Sequence, residues 1–181
     1  MMSEKPSVCL DLTSTSFYLV RHAEAGERTD RPDDHLRPLT GAGRHQARSL
    51  ATMFESADVG DILSSPYLRC VETLEPLADR LGCSVVRTDA LAEGEPIDAV
   101  LRLLEQVPPR TVLCTHGDVM HDVMDHVTFA DSTRGGPDRL AKGVVWVMQR
   151  VGDGLSVVEV LAAPATCLSI AGADVESWGI R

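Results

Sequence analysis

The chain has 181 residues, 44% hydrophobic and 24% charged, a balance that suits one soluble domain; no apolar run reaches the length of a membrane span. Acidic residues outnumber basic ones 27 to 17, for a formal charge of -10, so most of the surface should repel nucleic acid and anionic lipid. An anionic substrate would then have to be captured by a local cluster of arginines.

Residues 1–15 contain one lysine and no apolar stretch of the secretory kind, and are expected to be a flexible lead-in to a single domain over 16–162, with a C-terminal tail at 163–181. Cys9, Cys70, Cys83, Cys114 and Cys167 are scattered without a C-x-x-C pair, which fits reduced thiols and a cytoplasmic location. The first expected strand is Phe17 to Val20, and Thr40 is a candidate N-cap for a helix running to Ala57. Asp61 to Ser65 reads as a second strand, and Pro66 as the first residue of a helix ending near Gly82, with Pro76 a kink site inside it.

Ser84 to Arg87 is a third strand, Pro96 to Val107 a helix stopped by Pro108-Pro109, and Thr111 to Thr115 a fourth strand. A helix is then expected through Met120 to Phe129. Gly143 to Arg150 and Leu155 to Leu161 form two strands joined at Gly152-Asp153-Gly154. Alternation of strand and helix, closed by a hairpin, predicts an α/β fold: a three-layer α/β/α sandwich whose mainly parallel sheet contains one antiparallel strand.

In such sheets ligands bind beyond the carboxyl ends of the strands. Two strand ends finish in histidine, at Arg21-His22 and at Thr115-His116-Gly117. The helix after Ser64-Ser65 carries Arg69 in its first turns, and Glu93 and Glu95 follow the third strand. Two histidines, arginines and a carboxylate suit phosphoryl chemistry. Arginine's fork binds phosphate oxygens in pairs, unprotonated histidine is a nucleophile, and a carboxylic acid can protonate a leaving oxygen.

These residues resemble the histidine phosphatase, or phosphoglycerate mutase-like, superfamily, in its small capless form. The resemblance rests on Leu19-Val20-Arg21-His22-Ala23, on Arg37-Pro38-Leu39-Thr40 with Gly43 and Gln46-Ala47, on Leu63 to Cys70 with Thr73, and on Thr115-His116-Gly117. It implies that His22 becomes a phosphohistidine, that Arg21 and Arg69 hold phosphoryl oxygens, and that His116 is the second histidine of the pocket. Arg28 is a further candidate substrate contact. Glu93 falls where many members keep a proton donor, with Glu95 the alternative in the same loop. No cofactor or metal is implied, and the short stretch between Glu93 and His116 implies an open, shallow pocket.

The expected partner is a small phosphorylated substrate or a phosphoprotein, without nucleic acid or membrane. The leading activity is a metal-independent phosphatase acting on a phosphate monoester or anhydride. A protein phosphohistidine phosphatase of a signalling relay, a mutase and a non-catalytic phospho-ligand binding module remain alternatives. Cys114 reads as a buried, inert thiol, since no arginine follows it as a cysteine phosphatase requires. His121 with Asp125 and Asp122 with His126 have metal-ligand spacing but read first as a solvated helix face. His35 and His45 are expected at the surface, and Trp146 in the core or at its rim.

Overall fold

The computed structural model describes residues 15–28, 32–55 and 57–163. The expected lead-in lies outside them but for Thr15, and the tail but for Ala163; Cys9 and Cys167 are also outside.

Seven strands form one sheet: β1 (Phe17–Arg21), β2 (Ile62–Ser64), β3 (Val86–Arg87), β4 (Val112–Thr115), β5 (Val127–Phe129), β6 (Val145–Val151) and β7 (Gly154–Leu161). Their spatial order is β3-β2-β4-β1-β6-β7-β5. All neighbours are parallel except β6, which runs against both β1 and β7. The helices are α1 (Gly41–Met53), α2 (Leu68–Leu81), α3 (Ile97–Gln106) and α4 (Gly117–Met124).

Because side chains alternate across a strand, β1 divides the core in two. Tyr18 and Val20 face Leu50 of α1, Phe54 just after it, and Leu74 and Leu77 of α2. Phe17 and Leu19 face Val100 and Leu104 of α3 and Met120 and Val123 of α4, together with Trp146. Both sides of the sheet are therefore covered, which is why β1 and β4 read as unbroken apolar runs.

Several boundaries differ from the sequence reading. The helix after His116 stops at Met124, and Val127-Thr128-Phe129 instead forms β5, parallel to β7. Valine, threonine and phenylalanine favour an extended chain, and the free edge of β7 supplies its hydrogen bonds. The second helix begins at Leu68, because Tyr67 is still extended, with its N–H donating to Ser65 Oγ at 3.3 Å. That helix continues through Pro76. Thr40 does cap α1: its hydroxyl accepts from the Gly43 N–H at 3.0 Å.

Gly43 is required by a close approach. A Cβ there would lie 1.9 Å from the Glu24 carbonyl oxygen, so only glycine lets α1 rest against the segment that follows β1.

Candidate active site

Strands β1 and β4 lie side by side with Arg21 opposite Thr115, so the next residue of each leaves the sheet at the same edge. Those residues are His22 and His116, with ring centroids 5.4 Å apart. The His22 N–H donates to the Thr115 carbonyl at 2.9 Å, locking the two strand ends together.

The His22 ring is almost fully buried, and its Nδ1 lies 2.7 Å from the Ala23 carbonyl oxygen. A carbonyl can only accept, so Nδ1 carries the proton and Nε2 keeps its lone pair. Lys142 Nζ donates to that Nε2 at 3.1 Å. Burial first, and then the Lys142 charge, push the His22 pKa down to about 2, so the ring is neutral at any working pH.

Beside it lies a second layer, in which Ser65, Arg69 and His116 are fully buried. His116 Nε2 is 2.8 Å from Ser65 Oγ, and its Nδ1 is 3.4 Å from Glu93 Oε1 and 3.2 Å from Arg69 Nη2. Arg69 pairs with Glu93 at 2.9 Å and with Asp34 at 3.3 Å, and its guanidinium lies 4.7 Å from the centre of the Tyr67 ring. Glu93 thus bridges His116 and Arg69. Burial opposes a charge on His116, but its hydrogen bonds to Cys70 and Glu93 outweigh that and raise its pKa. Glu93 moves the other way: the His116 hydrogen bond, against the opposing effect of burial and with help from Arg69, brings it down to about 2.

Arg21 reaches the same edge, donating from Nη1 to the Leu140 carbonyl. A cleft of about 340 Å³ is lined by Arg21, His22, Arg28, Glu93, Asp118 and Lys142 among others. Arg28 stands at its exposed rim, 3.8 Å from Glu93. Glu95 is exposed and absent from the lining, so of the two carboxylates only Glu93 meets the buried groups.

All six residues singled out from the sequence therefore meet at one edge of the sheet, with Arg69 and His116 beneath the cleft and the other four along it. Sequence reasoning missed Lys142, Ser65 and Asp34. Lys142 lies in the turn entering β6, and because β6 is antiparallel its entrance faces the edge where the parallel strands exit. The signal was there in Lys142-Gly143 at the start of a strand, once that strand's direction is known.

The remaining candidates stay apart from the cleft. His35 and His45 are exposed, Cys114 is fully buried with its pKa raised, first by burial, and Trp146 is core. His121 pairs with its neighbour Asp122 at 3.5 Å, and among the described residues no group of three or more His, Cys, Asp or Glu is arranged to hold a metal. No helix among those residues is long and apolar enough to cross a membrane.

The model of the histidine phosphatase superfamily (branch 1) matches residues 17–96, which hold β1, α1, β2, α2, His22, Arg69 and Glu93. The chain belongs to the histidine phosphatase superfamily. Among superfamily relatives, an 8-oxo-(d)GTP phosphatase of Mycolicibacterium smegmatis is 31% identical over 144 residues, or 72% of this chain and 42% of that protein. A probable phosphoglycerate mutase of Photorhabdus laumondii subsp. laumondii is 36% identical over 80 residues, or 42% of this chain and 36% of that protein. The chain thus spans well under half the length of these relatives. In fold it is similar to a putative phosphohistidine phosphatase SixA from Agrobacterium tumefaciens, with a TM-score of 0.62 and 22% identity over 83% of this chain and 99% of that one.

Proposed function

We propose that this histidine phosphatase hydrolyses a phosphate monoester or anhydride through a phosphohistidine on His22. The observation that carries the reading is the His22 tautomer: Nδ1–H is held by the Ala23 carbonyl at 2.7 Å, so the neutral Nε2 lone pair is the one available among the cations of the cleft.

In the first step Nε2 attacks phosphorus in line. The Nε2–P bond forms as the bond from phosphorus to the leaving oxygen breaks, and that electron pair departs with the oxygen. Arg21, Arg69 and His116 bind the equatorial oxygens, where charge is greatest. Glu93 is a carboxylate in the free site, with its pKa at about 2. A bound phosphoryl group draws Arg69 and His116 away from it and adds negative charge beside it, and both effects raise its pKa toward the range where it takes a proton and passes it to the leaving oxygen. In the second step Glu93, again a carboxylate, takes a proton from the water that attacks the phosphohistidine. Inorganic phosphate leaves and His22 is restored.

The test is hydrolysis of a chromogenic aryl phosphate by wild type and His22→Ala, with and without EDTA. Loss of turnover in the variant and indifference to EDTA are expected. Turnover that survives the substitution overturns the nucleophile role, and inhibition by EDTA overturns the metal-independent reading.

A second reading, protein phosphohistidine phosphatase, draws support from the same low pKa of Glu93, since an imidazole leaving group does not depend on protonation of an oxygen. A phosphohistidine peptide and a nucleoside triphosphate, offered in the same assay, separate the two by kcat/KM.

A further inference from the structure

We propose that Lys142 is a phosphoryl-binding cation of this site, resting on the His22 Nε2 lone pair when the site is empty and moving to an equatorial phosphoryl oxygen when substrate binds. This rests on the phosphatase reading above and adds a residue to it.

Three observations carry it. First, Lys142 is built into place. The segment 138–144 is tied to β1 by the Arg21 N–H donating to the Val144 carbonyl at 3.0 Å and by Gly143 N–H donating to the carbonyls of Arg21 and His22 at 3.2 and 3.3 Å. The Arg21 side chain donates to Leu140, and the Trp146 indole N–H donates to the Arg139 carbonyl at 2.9 Å. A residue on a merely solvated turn would not need five anchors.

Second, among the described residues neither Lys142 nor Arg21 has a carboxylate within ion-pair distance, whereas Arg69 has two. In a protein with 27 acidic side chains, two neighbouring cations without an ion-paired acid, Arg21 feeling Asp138, Asp118 and Glu93 only at longer range, form a place prepared for an anion. The groups acting on Lys142 are mostly cationic: Arg21 from β1, Arg69 from α2 and Arg37 from the loop before α1, with buried Cys70 opposing them. Glu93 and Asp118 share the cleft, but neither pairs with it. Burial first, and then Arg21, bring the Lys142 pKa down to about 8, which a bound phosphoryl dianion would reverse.

Third, the position suits the equatorial plane and not the leaving group. Attack is in line, so the departing oxygen lies on the far side of phosphorus from Nε2. A group 3.1 Å from Nε2 itself stands on the nucleophile's side of phosphorus, so on yielding the lone pair it is left next to the equatorial oxygens. Exchanging a neutral imidazole acceptor for an anionic oxygen strengthens the ammonium's hydrogen bond and uncovers the nucleophile in the same movement.

The test compares Lys142→Met and Lys142→Arg with wild type and His22→Ala, on an aryl phosphate, with orthovanadate as a transition-state mimic and thermal unfolding as a control of folding. For Lys142→Met, kcat/KM is expected to fall about 10²–10³-fold, as for loss of one oxyanion donor, and vanadate inhibition to weaken alongside it. Lys142→Arg, which keeps the charge, is expected to recover most of both losses. If Lys142→Met keeps wild-type kcat/KM and vanadate affinity, or if Lys142→Arg is no better than Lys142→Met while both fold, the proposal is overturned. His22→Ala separates the failures: activity lost there but kept in Lys142→Met rejects the lysine role alone, while activity kept in His22→Ala rejects the phosphohistidine reading itself.

Discussion

Gly117 and Arg21 occupy one space: a Cβ on Gly117 would stand 2.6 Å from Arg21 Cζ. The glycine after His116 therefore lets the guanidinium lie flat against the first turn of α4. The obstruction is a movable side chain, so Gly117→Ala should displace Arg21 while leaving the backbone intact. We expect kcat/KM on an aryl phosphate to fall about 10²-fold, the cost of roughly 1 Å of misplacement. Stability should stay within about 1 kcal/mol by denaturant unfolding, since alanine gains helix propensity there. A large loss of stability would show that the space is structural.

Glu93 and Glu95 sit in one loop but in different surroundings, and substitution separates them. Glu93→Gln should lower kcat/KM for an alkyl phosphate about 10²–10⁴-fold, the usual contribution of a general acid, and for a nitrophenyl phosphate far less, because kcat/KM reports the step that forms the phosphohistidine. Glu95→Gln should change neither. Equal losses of kcat/KM on both substrates for Glu93→Gln would assign it to binding Arg69 and His116 and not to protonation of the leaving oxygen.

His22 makes the fold sensitive to acid. Its pKa in the folded protein, about 2, lies below the ordinary 6.5, so as pH drops through 6.5 the unfolded chain takes up a proton that the native ring refuses. Stability should fall by about 2 kcal/mol between neutral pH and pH 5 from this group alone. Glu93 is also depressed, but its loss starts only below its ordinary 4.5. His116 is raised, so its contribution is complete below 6.5 and is lost on the alkaline side. His22→Asn should therefore flatten the slope between pH 6.5 and 4.5 in urea unfolding; an unchanged slope would place its source elsewhere.

Most of the sheet was legible because β1 and β4, covered on both faces, show as apolar runs that end abruptly in Arg21-His22 and Thr115-His116. The Thr40 cap was legible for a local reason, a hydroxyl three residues before the N–H it accepts from. Strand β5 was not. Val127-Thr128-Phe129 continues the apolar spacing of α4, and only pairing with β7, which is remote in sequence, decides between helix and strand. Lys142 was hidden by the same non-locality: a lone lysine in a turn is ordinary until the antiparallel course of β6 brings it to Nε2 of His22. Which of Glu93 and Glu95 faces inward is likewise decided by Arg69 and His116, more than twenty residues away along the chain.

The reverse course of β6 has an effect at the other end of the molecule as well. Val145 lies opposite Val20 near the cleft, while Val151 runs past Phe17 at the opposite edge, so the turn at Gly152-Asp153 is solvent-exposed and separated from His22 by the full length of β1. A fluorophore, affinity tag or immobilising linker inserted there would be attached where no catalytic group can feel it. Substrates tethered to large carriers could then be presented to the cleft without hindrance from the label.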